Sequence, residues 1–222
     1  GPQVTLVDVR GEQVEGDPYE KTAAMLAAGR IIGIKGIGGF HLAVRADDPQ
    51  AVERLRELKH REHKPFALLC RDMEVAQSLV DLSNLAKTHL QENTRPIVLA
   101  TAKDPNQFPG VNPGTDRLGV MLPYTPIQHL IFDAFEQLDC EPVDVLVMTS
   151  ANISGEPLIH CNDDALTHMA GICDAILWHD RKIVRSFDDS VLLSMQMSET
   201  EEYILPIRRA RGFVPSTLKL PT

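Results

Sequence analysis

Cationic side chains bunch in the stretch Lys59-His60-Arg61-Glu62-His63-Lys64-Pro65. Alternate residues of an extended segment point the same way, so Lys59 and Arg61 can together engage a polyphosphate. Pro65 restricts Lys64 to extended backbone beside them. The competing reading is a solvated, charged helix end that needs no ligand. His60 and His63 have no further ligand pattern around them and read as exposed rather than metal-bound.

A second set of donors follows an apolar run. Thr149-Ser150-Ala151-Asn152-Ile153-Ser154-Gly155 comes directly after Val143 to Met148, and ligands on open α/β sheets gather beyond strand carboxyl ends. Serine, asparagine and free backbone N–H groups suit phosphate or carboxylate oxygens, although an ordinary Asn/Ser/Gly turn uses the same residue types. Between His179 and Val191, Asp188, Asp189 and Ser190 stand beside arginines that include Arg185. The two aspartates are candidates to support a magnesium ion, or else are solvated or paired with arginine. Pro206 to Phe213 brings Arg208, Arg209 and Arg211 within reach of an anion, but Arg208 and Arg209 cannot both face one pocket from a strand. The turn Lys35-Gly36-Ile37-Gly38-Gly39 invites a phosphate-loop reading. It lacks GxxxxGK[ST] and GxGxxG, however, and leads into a strand, as a tight glycine hairpin would. No Ser-His-Asp triad or activated nucleophile is identified from spacing.

Helices and strands must position these groups. Asp17 as N-cap, Pro18 at the first helical position, Glu20 closing a capping box and Gly29 at the end predict the firmest helix. Apolar strands are expected at Ile31 to Lys35, Phe40 to Val44, Phe66 to Cys70, Pro96 to Ala100, Leu118 to Leu122 and Val143 to Met148. Three more are expected around Ala175 to Trp178, Val191 to Ser194 and Tyr203 to Ile207, the last two joined by a polar hairpin connection over Met195 to Glu202. Helices open at Asp48-Pro49, Asp72, Ser83, Thr125-Pro126 and Asn162-Asp163-Asp164, and residues 101–117 form a loop. Strands interleaved with helices imply an α/β domain built on a twisted, open, mixed β-sheet with flanking helices.

Composition narrows the chemistry. The formal net charge of -9 opposes broad phosphate-driven binding to nucleic acid. Yet Arg54 to Arg71 holds six Lys/Arg against Glu57 and Glu62, and no acid follows Glu202. The apolar runs are too short to span a membrane, and the start lacks a secretory signal, so a cytoplasmic chain or an excised internal fragment is expected. Cys70, Cys140, Cys161 and Cys173 form no CxxC pair, so structural zinc is not expected in this fragment.

Taken in order, Lys-Gly-Ile-Gly-Gly-Phe-His-Leu (35–42), Lys-His-Arg-Glu-His-Lys-Pro-Phe (59–66), Arg-Pro-Ile-Val (95–98), Leu-Pro-Tyr-Thr-Pro (122–126), Thr-Ser-Ala-Asn-Ile-Ser-Gly-Glu-Pro (149–157) and Arg-Arg-Ala-Arg-Gly (208–212) resemble the YrdC-like family, from about Tyr19 to Pro215. Within it the wording is similar to that of the HypF carbamoyltransferases of hydrogenase maturation. Stand-alone YrdC proteins usually carry Tyr-Gly-Leu where this chain has Phe40-His41-Leu42, and lack the string from His179 to Val191.

The resemblance implies a YrdC/RibB-like sheet with a concave basic cavity where ATP, magnesium and a small substrate meet. Lys59 and Arg61 are implied as catalytic and nucleotide-binding groups, with Lys64, Thr149, Ser150, Asn152, Arg185, Ser190, Arg209 and Arg211 also at the nucleotide. Lys35, Phe40, His41, Arg95 and Pro123 are implied at the small substrate, which would be carbamate derived from carbamoyl phosphate, and the product would be carbamoyl-adenylate. It further implies residues 1–15 as a linker from a zinc-finger region, 16–216 as the catalytic domain and 217–222 as a linker onward. Other HypF regions in cis and HypE as carbamoyl acceptor are the implied partners. The alternatives are a threonylcarbamoyl-adenylate synthase serving tRNA modification, against which Phe40-His41 argues, and a non-catalytic RNA-binding module.

Overall fold

The computed structural model describes residues 1–153, 156–196 and 201–217. In chain order these residues form β1 (Val4–Asp8), α1 (Pro18–Ala27), β2 (Ile32–Lys35), β3 (Phe40–Arg45), α2 (Pro49–Leu58), β4 (Ala67–Cys70), α3 (Met73–Leu79) and α4 (Asn84–Gln91). There follow β5 (Ile97–Thr101), β6 (Arg117–Met121), α5 (Pro126–Phe135), β7 (Val145–Ser150), α6 (Asn162–Met169), β8 (Ala175–His179), β9 (Val191–Gln196) and β10 (Glu202–Arg208). Of the polar connection expected between the last two strands, residues 197–200 lie outside the described residues, as does 218–222 of the onward linker.

All ten strands join one open, mixed sheet in the order β1-β8-β2-β3-β7-β4-β6-β5-β9-β10. The pairs β2–β8, β4–β6 and β5–β9 are parallel and the others antiparallel. Strand alternation sends successive side chains to opposite faces, and the central strands β2, β3, β4 and β7, covered on both, are mostly apolar. Leu42, Val44, Leu68, Val147 and Val120 pack on the side of α2, α3, α4 and α6, through Val52, Leu55, Leu79, Leu90 and Met169. Ala43, Leu69, Leu146 and Met148 point the other way, toward α1 and α5, through Leu26, Ile131, Phe132 and Phe135.

Three local expectations change. Residues 4–8, expected within a linker, form the edge strand β1 on β8, because Leu6 and Val7 alternate into opposite faces and both are buried. Asp17 does cap α1, accepting from Tyr19 N and Glu20 N, but the exposed Glu20 makes no return bond among the described residues. The reciprocal capping box closes instead at Thr125 and Gln128 of α5. Similarly, α6 is capped by Cys161, whose Sγ accepts from Asp164 N, and not by the Asn-Asp-Asp run that follows.

Candidate functional site

A concavity of about 870 Å³ opens on the sheet face that carries α1 and α5, within the usual range for a small-molecule site. Its floor is apolar, from Ile97, Leu99, Met148, Val191 and Ile207, with Gly119 leaving the sheet surface bare between them. Lys59, Arg61, Lys64 and Arg208 line it, against Glu62, Asp188 and Asp189. A second hollow of about 500 Å³ over the 105–116 loop has Asp116 as its single charge, so it offers nothing to an anion.

The 59–65 segment is not extended, as the alternation argument required. Lys59 keeps near-helical angles (φ -88, ψ -3) at the end of α2, and His60 turns into the left-handed region at φ 49. Buried Arg56 accounts for the curl. From the last turn of α2 it donates to the carbonyls of Gly110 at 3.0 Å, Arg61 at 2.5 Å and Lys64 at 3.3 Å, and stacks on Phe66 at 4.5 Å. The curl still brings Lys59 and Arg61 to one cavity, by tethering rather than by strand periodicity.

Lys59 is 2% exposed, and its Nζ donates to the carbonyls of Ser150 at 2.5 Å and Asn152 at 2.6 Å. Two of its three donors therefore hold the turn after β7. Burial, then the charges of Arg61 and Lys64, push its ammonium down to about 8. Arg61 donates to the carbonyls of Lys64 and Pro65, reaches Thr149 Oγ1 at 3.5 Å and lies over Phe66. Burial, Arg56 and Arg208 lower its guanidinium to about 10. Lys64 is lowered too, by burial and then by Arg61 and Arg208. Like charges held together in a partly desolvated hollow lower one another in this way, and an incoming anion relieves the repulsion.

Thr149, Ser150 and Asn152 line the cavity as expected. Asn152 Nδ2 donates to Glu156 O at 2.6 Å while its Oδ1 is buried without a partner among the described residues. Ser154 and Gly155 of the same motif lie outside the described residues. Phe40 and His41 line the wall at the start of β3.

Several expected contacts fall elsewhere. Lys35 is buried outside the cavity lining, and its Nζ donates to Asn162 Oδ1 at 2.6 Å, Arg181 O at 2.8 Å and His179 O at 3.0 Å, so all three donors tie β2 to α6 and the loop after β8. Arg211 is buried over the Tyr124 ring at 3.6 Å and donates to Asp189 Oδ1, Thr94 O and Arg95 O. Arg95 supplies that carbonyl rather than its guanidinium, which bonds Leu90 O. Ser190 is fully buried, accepting from Ala210 N and donating to Arg211 O. Pro123 is buried, Arg185 is exposed and Arg209 is half-buried; none of the three lines the cavity. The arginine from the last strand that does is Arg208, whose Nε donates to Asp189 O at 2.8 Å. A register shift between Pro206 and Arg208 in β10 turns it inward, a bulge with no clear sequence signal beyond the proline.

Asp189 settles the question of the paired acids. It accepts from Arg211 Nε at 2.8 Å and from His41 Nε2 at 3.1 Å. Burial by itself would raise this carboxyl, but the hydrogen bond from His41 and the charge and hydrogen bond of Arg211 outweigh it and hold the group well below the usual carboxylate range. Both its oxygens are engaged, and no group of three or more potential metal ligands occurs among the described residues. The donor set therefore does not fit a magnesium ion held by the protein. Exposed Asp188 is left as a rim carboxylate.

The fold and the sequence match those of known proteins. Carbamoyltransferase HypF of Rhodobacter capsulatus is 43% identical over 222 residues, covering 100% of this chain and 28% of that protein. A crystal structure of full-length HypF in the phosphate- and nucleotide-bound form superposes with a TM-score of 0.84 at 40% identity, over 97% of this chain and 27% of the other. HypF of T. kodakarensis gives a TM-score of 0.87 at 36% identity, again over 97% of this chain and 27% of that one. The chain thus spans little more than a quarter of the length of the relatives it matches. The family model described as Sua5/YciO/YrdC, telomere recombination, matches residues 24–210, most of the chain, and the chain belongs to that family.

Proposed function

We propose that the cavity binds ATP, as its magnesium complex, together with carbamate, and joins them as carbamoyl-adenylate. The observation that carries this is the convergence of Lys59, Arg61, Lys64 and Arg208 on one hollow whose floor is apolar. The cations suit a triphosphate, and the floor of Ile97, Leu99, Val191 and Ile207 suits a purine ring. That a nucleotide-bound HypF shares this fold at 40% identity supports the reading.

In the proposed step a carbamate oxygen forms a bond to the α-phosphorus while the bond from that phosphorus to the bridging oxygen breaks. The electron pair leaves with pyrophosphate. No proton is transferred and no enzyme intermediate forms, so positioning and charge neutralisation supply the acceleration. Carbamate and the triphosphate are both anionic, and the clustered cations offset their repulsion. In a longer protein of the HypF kind, working in the cytoplasm, carbamate would come from carbamoyl phosphate and the product would pass to HypE, toward the cyanide ligands of [NiFe]-hydrogenase.

The test supplies the chain with ATP and ammonium carbamate, or with ATP, threonine and bicarbonate, and identifies the adenylate by mass. A carbamoyl-adenylate with release of pyrophosphate is expected. A threonylcarbamoyl product, or no adenylate with nucleotide bound elsewhere, overturns the assignment.

A further inference from the structure

The cavity wall holds a side chain whose orientation is over-determined by groups that touch no ligand. Its Nε2 meets Asp189 Oδ2 at 3.1 Å, and Asp189 is held from its other oxygen by Arg211 at 2.8 Å. An ionised carboxylate is an acceptor only, so the proton between them sits on His41 Nε2. His41 lines the hollow, and its Nδ1 has no hydrogen-bond partner among the described residues.

The glycine turn makes room for this arrangement. A Cβ at Gly36 would come within 3.0 Å of His41 Cε1 and 3.1 Å of Nδ1. A Cβ at Gly38 would overlap the Phe187 carbonyl oxygen, and Phe187 N donates to Gly38 O at 3.0 Å. One face of the turn thus seats the imidazole while the other seats the loop that brings Asp189 to it.

We propose that Asp189 is a positioning residue that holds His41 as its Nε2–H tautomer with Nδ1 turned to the cavity, where it accepts an N–H from the small substrate. Carbamate presents two oxygens to the cations and an amino group to Nδ1, whereas acetate presents a methyl group there. The identity of the small substrate rests on the reading above; the tautomer does not.

The experiment uses the whole chain labelled with 15N-histidine, at about pH 8, where an ordinary imidazole is neutral. The expected result is an unprotonated, pyridine-type Nδ1 for His41. Asp189→Asn should reverse the tautomer, because a carboxamide can donate to the ring. It should also raise KM for carbamate about tenfold, the weight of one hydrogen bond, while the Kd for ATP holds within about twofold. A proton on His41 Nδ1 in the unmodified chain, or a carbamate KM unchanged in Asp189→Asn, overturns the proposal. If Asp189→Asn does not fold, His41→Phe, which has no acceptor, serves: a lost preference for carbamate over acetate supports the proposal, and a retained one overturns it. A chain that makes no adenylate from carbamate defeats the reading above, and the wild-type tautomer still decides the role of Asp189.

Discussion

His41 Nε2 lies 3.1 Å from Asp189 Oδ2, joining residues 148 positions apart. Each belongs to a stretch where the sequence departs from the stand-alone YrdC pattern, His41 from Tyr-Gly-Leu and Asp189 from the string that such proteins lack. In the structure the two departures are one feature. Arg211 extends it inward, bonding Asp189 and stacking on Tyr124, so a buried line of charge runs from the cavity wall to the turn before α5.

On the proposed reading, the cations separate into those that would meet a ligand and those that hold the fold. Lys59→Met and Arg61→Ala are each expected to weaken ATP binding by about 1.5–3 kcal/mol, the range for a hydrogen bond to a charged group. Exposed Arg185 and half-buried Arg209 are outside the lining, so Arg185→Ala and Arg209→Ala should change it by less than about 0.5 kcal/mol. Titration calorimetry decides both. Losses at Arg185 or Arg209 equal to those at Lys59 would move the nucleotide to the outer loop.

Lys35 gives the opposite pattern. Lys35→Met leaves Asn162 Oδ1 and the carbonyls of His179 and Arg181 without their donor in a buried setting. Unfolding in urea should show a loss of about 2–4 kcal/mol, the cost of stranding buried acceptors, with ATP affinity unchanged in the folded protein. Weaker ATP binding at unchanged stability would return Lys35 to the ligand.

This division marks where the sequence was legible. Every described strand but β1 could be placed within one or two residues, because they are short apolar runs between clear caps and turns, as at Asp48-Pro49 and Thr125-Pro126. Lys59, Arg61, Lys64 and the 149–152 turn could be found because like residues cluster locally. Lys35, Ser190 and Arg211 look the same as ligand-binding residues in one dimension. Their partners lie 127 residues away for Lys35–Asn162 and 22 for Arg211–Asp189, and a linear pattern carries no sign of that. Arg208 was hidden for a related reason: the register shift in β10, not simple alternation, decides which arginine turns inward.

Gly38 tests whether the turn and the 186–190 loop work as one unit. A methyl group in Gly38→Ala would press on the Phe187 carbonyl and push the loop away, drawing Asp189 from His41. A stability loss of about 1–3 kcal/mol is expected, as for other overpacked sites. Adenylate formation from carbamate should fall much more than ATP affinity, since a Cβ at Gly38 meets Phe187 and neither Lys59 nor Arg61. Equal losses in both would mean that the loop shapes the nucleotide site.

Lys59 also sets a pH dependence whose sign follows from its lowered value. The free ammonium titrates at about 8, and a bound polyphosphate favours its charged form, so the complex titrates higher. Below about pH 8 Lys59 is protonated both free and bound, and affinity is flat on its account. Above it the free protein has lost the proton that binding must restore, so affinity declines with rising pH until the bound group titrates as well. ATP titrations at about pH 7 and about pH 9 should therefore show weaker binding at the higher value. In Lys59→Met, which has no proton to restore, that part of the decline should vanish. A decline of the same size in Lys59→Met would assign it to another group, with Lys64, also lowered, next in line.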